Sequence, residues 1–270
     1  MSPRAFLAVC CIVVMTLVLM PFQIAFLKLG SRRAATLPRF YHRLALRIIG
    51  VRLRVIGAPV DPGPVLFVSN HISWLDIPVL GALLPVSFIA KREVGEWGPF
   101  GTLARLQRTI FVDREKRSES RRQSGAITDR LKAGDSLVLF AEGTSTDGSS
   151  VRPFKSALFA AAEIGNGGED AGTEAAPLII QPVTIAYRAI NGIPLTRATR
   201  PLIGWYGDME LEPHFLNLLG LGRIVADIHF HAPVTAKDFA SRKDLARHCW
   251  EEVRRGLLAS RRGDARDAAR

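Results

Sequence analysis

Cysteine is scarce in this 270-residue chain, which has three in all. Cys10 and Cys11 are adjacent within an apolar run, and Cys249 stands alone. These positions offer no disulfide framework and indicate a reducing compartment. Histidine and cysteine show no spacing typical of a zinc site. His229 and His231 would share one face of a strand, but two such ligands are weak grounds for a metal. We therefore expect no metal site.

Charged residues are absent from Ala5 to Leu27. At about 1.5 Å per residue, a helix of that length reaches across the roughly 30 Å hydrocarbon core of a bilayer. A cleavable signal peptide is disfavoured, because the run is long and no small-residue cleavage site follows it. Pro21 interrupts the run near its end. Two structures therefore stay open: a spanning helix, and a bent helix or helical hairpin embedded in one leaflet.

Basic residues follow the apolar run directly. They are Lys28, Arg32, Arg33, Arg39, Arg43 and Arg47. Positive charge beside a membrane segment indicates the cytoplasmic side. We therefore predict that residues 1–50 anchor the chain in the inner (cytoplasmic) membrane and that the rest faces the cytoplasm.

Acidic residues are outnumbered, 25 against 36 basic ones, which gives a net charge of +11 and a pI near 10.3. Such a balance predicts negatively charged partners: an anionic membrane surface, an acidic carrier protein or nucleic acid. The arginines are spread through the chain and no recognised nucleic-acid motif is present, so we expect no nucleic-acid partner.

Strand and helix patterns alternate along the rest of the chain and predict an α/β fold, a mostly parallel central sheet flanked by helices. The predicted strands are Val51–Ile56, the run from Val65, Val86–Ala90, Thr109–Val112, Ser136–Phe140, Leu178–Tyr187 and Arg223–His231. The predicted helices are Pro38–Gly50, Trp74–Leu84, Trp97–Leu106, Glu119–Lys132, Ser156–Ile164, His214–Leu219 and Ser241–Leu258. Helix Pro38–Gly50 suits either the lipid headgroup layer or the protein core. Residues 51–259 form one domain, and residues 260–270 are a disordered charged tail.

The stretch around which the chain is organised is an apolar run from Val65 that ends in Asn70-His71, with Asp76 five residues after the histidine. A buried strand would bring the imidazole to its carboxyl end, where open α/β sheets place ligands. A histidine with a carboxylate in reach can take a proton from a hydroxyl. The pairing requires His71 in a turn and Asp76 on the first helical turn. Alternatively, both residues are structural.

Three further stretches follow predicted strands or open a helix, and the sheet would bring them to the same edge. They contain Arg114, the turn Glu142-Gly143-Thr144-Ser145, and Lys155. Taken singly, each has an ordinary interpretation as a solvated charge or a simple turn. Taken together, they describe a site with a base, an orienting acid, an anion-binding arginine and free backbone amides.

Four blocks in this order resemble those of the glycerolipid acyltransferase family, which includes the 1-acylglycerol-3-phosphate acyltransferases. They are Asn70-His71-x-x-x-x-Asp76, Ile110-Phe111-Val112-Asp113-Arg114, Phe140-x-Glu142-Gly143-Thr144 and Gln181-Pro182-Val183. The match covers roughly residues 65–187 and implies acyl transfer from a thioester of acyl carrier protein or coenzyme A to a membrane lipid hydroxyl. It implies no metal and no bound cofactor.

The resemblance also implies roles for individual residues. His71 would deprotonate the acceptor hydroxyl, Asp76 would orient the imidazole, and backbone amides would stabilise the oxyanion. No covalent acyl-enzyme is required. The residues expected to bind substrate are Asn70, Ser73, Arg114, Glu142, Gly143, Thr144, Ser145, Asp147 and Lys155.

One position departs from the phospholipid enzymes, in which the Glu-Gly-Thr block continues with arginine. Here Ser145 follows, so a phosphate would lose a bidentate partner, and Asp147 adds negative charge. The run Ala141–Gly148 and the later Trp205-Tyr206-Gly207-Asp208-Met209 resemble the lyso-ornithine lipid O-acyltransferase branch. Asp147 would then meet the ornithine ammonium. The alternatives are lysophosphatidic acid as acceptor, and a non-catalytic membrane-surface binding protein.

Overall fold

The computed structural model describes residues 1–61, 63–112, 120–160 and 177–263. In that part of the chain the strands are β1 (Val51–Ile56), β2 (Val65–Ser69), β3 (Val86–Lys91), β4 (Ile110–Val112), β5 (Ser136–Phe140), β6 (Ile179–Ile190), β7 (Ile193–Pro194), β8 (Ile224–Phe230) and β9 (Val234–Thr235). The α-helices are α1 (Pro3–Lys28), α2 (Arg33–Ile49), α3 (Asp76–Leu83), α4 (Gly98–Leu106), α5 (Ser120–Lys132), α6 (Leu211–Gly220) and α7 (Arg242–Arg262).

The strands form one sheet in the order β1-β8-β6-β2-β5-β3-β4, and the short strands β7 and β9 also pair with β6. The neighbouring pairs β6–β2, β2–β5, β5–β3 and β3–β4 are parallel. Strand β8 runs antiparallel to β6 and parallel to β1. The predicted fold class, a mostly parallel sheet flanked by helices, is confirmed.

Strand β2 lies at the centre of the sheet, and all five of its residues are buried. Val65 and Phe67 belong to a core shared with helices α2, α3 and α6. Leu66 and Val68 belong to a second core, with helices α5 and α7 on the opposite face. Because successive strand residues point to opposite faces, an apolar run without alternation fits a strand covered on both sides.

Helix α1 lies against the body of the protein near both of its ends. At the start, the guanidinium of Arg4 donates to the carbonyl oxygens of Ile49 and Leu219, each at 2.9 Å. Towards the end, the amide of Gln23 donates to the carbonyl oxygens of Ala34 (2.9 Å) and Leu106 (2.8 Å). Within the described residues it is the one helix long and apolar enough to cross a membrane.

Most of the apolar surface of helix α1 faces outward. Its exposed large side chains are Phe6, Leu7, Val13, Val14, Leu17, Val18, Phe22 and Ile24. Helix α2 packs against helix α1, and the hydroxyls of Thr16 and Tyr41 lie 2.8 Å apart. A row of exposed apolar side chains on one helix is the feature that a membrane contact requires.

Helix α2 is core-facing. Its buried residues are Ala34, His42, Ala45, Leu46 and Ile49, whereas Phe40 is half-exposed. Because the helix packs onto α3, packing continues across the boundary drawn at residue 50. Helix α7 extends to Arg262, three residues into the predicted tail at 260–270, and Ser260 is buried. Residues 264–270 lie outside the described residues, and the three-part division stays a prediction.

The predicted helix Ser156–Ile164 begins as a 3-10 turn, Ser156–Phe159. The rest of it from residue 161, and the loop up to residue 176, lie outside the described residues. Helix α3 begins at Asp76, two residues later than predicted, after a turn at Trp74 and Leu75. That shift leaves His71 in an irregular segment and puts Asp76 on the first helical turn, as the pairing requires.

Candidate active site

Asn70 closes the carboxyl end of strand β2. Its amide nitrogen donates to the carbonyl oxygen of Ile185 (2.9 Å), and its amide oxygen accepts from the N–H of the same residue (2.8 Å). The side chain is buried and continues the pairing with β6 past the last strand residue. This reciprocal pair fixes the point at which the chain turns towards His71. The predicted contact of Asn70 with substrate stays a prediction.

His71 and Asp76 form a hydrogen-bonded pair. Nδ1 of the imidazole lies 2.8 Å from Oδ2 of Asp76. The same oxygen accepts the backbone N–H groups of Ile72 (2.7 Å) and Ser73 (3.0 Å), and Oδ1 accepts the hydroxyl of Tyr187 (2.8 Å). Asp76 is fully buried, and these four donors satisfy a carboxylate that burial would otherwise destabilise.

The hydrogen bonds of Asp76 also decide the tautomer of His71. A carboxylate only accepts, so Nδ1 carries the ring proton and donates it to Asp76. The lone pair of Nε2 is then available to take a proton. The side chain of His71 keeps 19% of its surface exposed, and its ring stacks on Phe140 with centroids 4.1 Å apart. The imidazole is therefore oriented on one side and open on the other.

His71 opens into a cavity of about 250 Å³, hereafter the His71 cavity. Gly143, Thr144 and Ser145 line it beside the imidazole. Among the described residues, the backbone N–H groups of Thr144 and Ser145 have no hydrogen-bond partner, whereas that of Gly143 donates to Phe140. Two unpaired amides beside a base are the elements from which an oxyanion site is built.

Glu142 holds the loop that carries His71. One carboxylate oxygen accepts the backbone N–H of His71 (2.8 Å), and the other accepts that of Arg152 (2.7 Å). Burial raises the pKa of Glu142 to about 7; the two hydrogen bonds oppose this rise, and the negative charge of Asp76 adds to it. Glu142 is 2% exposed and holds in place the backbone that borders the His71 cavity.

Lys155 passes over Gly143, whose backbone has a φ of +76°. A Cβ at this glycine would lie 2.9 Å from Nζ of Lys155, so a larger residue would displace the lysine as well as strain the backbone. The backbone N–H of Lys155 donates to Ala141 at 2.9 Å. Gly143 therefore brings an ammonium group close to the turn that borders the His71 cavity.

Asp147 lies apart from the His71 cavity. It lines a second cavity of about 640 Å³ together with Arg188, Arg197, Arg200 and Arg261. Burial acts to raise the pKa of Asp147, but hydrogen bonds from Ser149 and the charges of Arg200 and Arg261 outweigh it and lower the pKa. The predicted contact of Asp147 with an ammonium group stays a prediction.

Two other predicted residues need separate mention. Ser73 is fully buried, and its hydroxyl has no hydrogen-bond partner among the described residues. Its backbone N–H donates a hydrogen bond to Oδ2 of Asp76. Arg114 lies outside the described residues. The structure thus brings His71, Asp76, Glu142, Gly143, Thr144, Ser145 and Lys155 together.

Several residues at the site were missed from the sequence. Tyr187 donates to Asp76 from the middle of a buried strand, where nothing in its sequence context distinguishes it from a core tyrosine. The other missed residues line the His71 cavity and are Lys91, Glu93, Trp97, Trp205 and Tyr206. The run Trp205–Met209 supported the family resemblance but had no assigned role.

An apolar cavity of about 210 Å³ adjoins the His71 cavity. Both are lined by Trp74, Ile77, Phe88 and Trp97. The apolar cavity extends between helices α2 and α4 to Ile12 on helix α1. The indole N–H of Trp74, which lines both cavities, donates to Nδ1 of His214 at 3.0 Å, and this hydrogen bond holds the ring in place.

Comparisons with known proteins give the family. The family model described as Acyltransferase matches residues 52–199, more than half of the chain. The chain belongs to the acyltransferase family. It is 46% identical to a lyso-ornithine lipid O-acyltransferase of Brucella abortus (strain 2308), over 95% of this chain and 94% of the relative. It is 39% identical to a protein of the same name from Rhizobium meliloti (strain 1021), over 96% of this chain and 87% of the relative.

The fold of this acyltransferase is also found in a solved structure. The 1-acyl-sn-glycerophosphate (LPA) acyltransferase PlsC from Thermotoga maritima superposes with a TM-score of 0.64 at 22% identity, covering 95% of this chain and 96% of that one. At this identity the likeness concerns the fold. The resemblance inferred from the four sequence blocks is therefore confirmed, and the chain is an acyl-transferring enzyme.

Proposed function

We propose that this acyltransferase moves a fatty acyl group from a thioester to the hydroxyl of lyso-ornithine lipid, forming ornithine lipid. The observation that carries this acceptor is the similarity, over nearly the whole chain, to relatives named lyso-ornithine lipid O-acyltransferase. Ser145 supports it, because the position lacks the guanidinium that a phosphate would favour.

The proposed chemistry begins at Nε2 of His71, which takes the proton of the acceptor hydroxyl. The hydroxyl oxygen then attacks the thioester carbonyl carbon, and a tetrahedral oxyanion forms. When the oxyanion collapses, the C–S bond breaks and the thiolate receives the proton from His71. Asp76 keeps the imidazole in the required tautomer and stabilises its positive charge during the reaction.

The backbone amides of Thr144 and Ser145 would stabilise the oxyanion. They border the same cavity as His71 and are unpaired among the described residues. Glu142 holds the His71 loop from behind, and Lys155 supplies positive charge above Gly143. The backbone amides and Glu142 are positioned by the fold before substrate binds, which is the property that makes electrostatic stabilisation effective.

The apolar cavity would accept an acyl chain. It shares its wall with the His71 cavity, so a chain lying in it would have its carboxyl end near the imidazole. The donor we propose is an acyl thioester of acyl carrier protein, with coenzyme A as the alternative carrier. The net charge of +11 favours an acidic carrier and an anionic membrane surface.

For the membrane we propose that helix α1 is embedded in the cytoplasmic leaflet of the inner membrane and does not cross it. A helix that crosses a bilayer leaves its cytoplasmic domain at one end. Here Arg4 and Gln23, near opposite ends of α1, both bond to the same body. The exposed apolar side chains between them would face lipid.

The second candidate acceptor is lysophosphatidic acid, which would give phosphatidic acid. Lys91 lines the His71 cavity and Lys155 lies over Gly143, so two ammonium groups lie near the reacting centre. A phosphate can bind to lysines without an arginine, although without bidentate geometry.

The test is a paired acceptor assay with purified protein in detergent. Labelled acyl carrier protein thioester is supplied with lyso-ornithine lipid or with lysophosphatidic acid, and product lipids are separated. We expect label in ornithine lipid, and in neither product with His71→Ala. Label moving into phosphatidic acid alone would establish the second acceptor. The absence of transfer to either lipid would overturn both candidate acceptors, and the acceptor would then be a lipid hydroxyl of another class.

A further inference from the structure

The lining of the His71 cavity includes two indole rings and a carboxylate. Trp97 and Trp205 meet edge to face, with centroids 5.5 Å apart and planes at 85°. Glu93 lines the same cavity, from the 3-10 turn Arg92–Glu96 that precedes Trp97. Tyr206 adds a third aromatic side chain. Among the described residues, the carboxylate of Glu93 has no hydrogen-bond or ion-pair partner.

We propose that Glu93, Trp97 and Trp205 form a cage that binds the terminal ammonium group of the acceptor lipid. The proposal rests on the proposed function and names the residues that would select the head group. Aromatic faces attract cations through their quadrupole, and a neighbouring carboxylate adds a direct charge interaction. The three residues border the cavity into which His71 opens, so the cage and the base contact the same bound molecule.

From the sequence we predicted that Asp147 would bind the ammonium group. The surroundings of Asp147 are less favourable for this role than those of Glu93. Asp147 lines a different cavity, where the positive charges of Arg200 and Arg261 already compensate its negative charge. Residues adjacent in the chain divide between the two spaces: His71 lines one and Ile72 lines the other. Asp147 and the imidazole therefore line different cavities, whereas Glu93 and the imidazole line the same one.

The charge of the His71 cavity also distinguishes the acceptors. Of the described residues that line it, Lys91 carries a positive charge and Glu93 a negative one. A zwitterionic head group with a carboxylate and an ammonium matches this pair. A phosphate dianion would gain the same lysine but would share the cavity with the carboxylate of Glu93, and like charges at close range are unfavourable.

The experiment compares two acceptors that differ by one amino group. They are the 3-hydroxyacyl amides of ornithine and of norvaline, whose side chain is the same length without the terminal amine. The measured quantity is kcat/KM for each, and their ratio is the preference for the ammonium. We expect Glu93→Gln to lower this preference about tenfold, and Trp97→Leu about three- to tenfold. Glu93→Gln should still acylate the norvaline lipid, which shows that it is folded. Because Trp97 also lines the apolar cavity, Trp97→Leu is judged by the ratio alone, in which a loss common to both acceptors cancels.

The matched control is Glu96→Gln, a neighbouring exposed carboxylate on the same 3-10 turn that lies outside the cavity lining. Its preference should equal that of the wild type. An unchanged preference in Glu93→Gln would overturn the cage while leaving ornithine lipid synthesis in place. A preference lost in Asp147→Asn but kept in Glu93→Gln would move the ammonium site to Asp147. Wild-type transfer to lysophosphatidic acid alone would overturn the proposed function itself.

Discussion

At the scale of single residues, the His71–Asp76 pair depends on groups that are far apart in the sequence. The pairing itself was predictable, because a turn followed by a helix start places the two side chains within reach. The other donors to Asp76 were not all predictable. The hydroxyl of Tyr187 comes from a strand 111 residues away, and only the sheet order brings it to the carboxylate.

His71→Ala should lower turnover by a hundredfold or more, since general-base groups contribute about 10²–10⁴-fold. Three other donors to Asp76 remain, so the variant should still fold and keep its membrane attachment, with a lower thermal unfolding midpoint because the buried carboxylate loses one hydrogen bond. Initial rates of acyl transfer at saturating donor measure the loss. His248→Ala on helix α7 is the matched histidine control. A variant that retained most of its turnover would exclude His71 as the base.

Tyr187→Phe removes the one hydroxyl that bonds to Oδ1 of Asp76 and keeps the ring in place. Tyr187 acts through Asp76 and is a positioning residue. A hydrogen bond to a charged group contributes about 1.5–3 kcal/mol, part of which the remaining donors would recover. We expect kcat to fall roughly tenfold with little change in KM.

Thermal unfolding separates this role of Tyr187 from a loss of packing. Phenylalanine keeps the ring, and His71, Ile72 and Ser73 still donate to Asp76, so the unfolding midpoint should change little while kcat falls. A fall in kcat that only follows a loss of folded protein would assign Tyr187 a packing role.

At the scale of elements, the site is formed where the chain leaves strands β2 and β5. Glu142 follows β5 and accepts the N–H of His71, which follows β2. The sequence located both turns, because apolar runs that end in polar residues mark strand ends in a parallel sheet. It assigned Glu142 to the acceptor pocket, whereas the structure adds that both carboxylate oxygens hold backbone. Which backbone N–H groups a buried carboxylate contacts depends on the register between neighbouring strands. The sequence pattern does not specify that register.

Glu142→Gln should change how stability depends on pH. Burial raises the folded-state pKa of Glu142 to about 7, above its ordinary value of 4.5. Between these values the folded protein holds a proton that the unfolded chain has released. The free energy of unfolding therefore falls as pH rises across this window, by up to about 1.4 kcal/mol per pH unit, and levels off above it.

A glutamine at position 142 does not titrate, so its unfolding free energy should vary less between pH 5 and pH 7. Urea unfolding in detergent at pH 5, 6 and 7 measures the two slopes. Glu251→Gln, an exposed carboxylate on helix α7, should behave like the wild type. Parallel curves for wild type and Glu142→Gln would contradict the raised pKa.

At the scale of the whole molecule, the sequence specified an apolar N-terminal helix but not where it lies. Its length and composition fit a spanning helix and an embedded one equally well. The distinction comes from long-range contacts, such as Arg4 with Leu219 and Gln23 with Leu106. The spacing of apolar residues describes which face of a helix is apolar. It does not show that polar side chains near both ends of helix α1 bond to the rest of the protein.

The embedded arrangement predicts that both ends of helix α1 are accessible from the same side of the membrane. A single reporter cysteine is placed either before Met1 or at Ser31, in a chain carrying Cys10→Ser and Cys11→Ser. Cys249 can stay, because it is fully buried and burial raises the pKa of its thiol to about 12, which makes it unreactive.

Inside-out vesicles are then treated with a membrane-impermeant maleimide. Ser31→Cys lies just after the end of helix α1 and is the reference for the side of the membrane on which the body of the protein lies. An embedded helix should let both reporters react at similar rates in these vesicles, and neither in right-side-out vesicles. A spanning helix would protect the N-terminal reporter in one preparation and expose it in the other. That pattern would require the contacts of Arg4 with Ile49 and Leu219 to break in the membrane, because a side chain on one side of the bilayer cannot bond to a protein body on the other side.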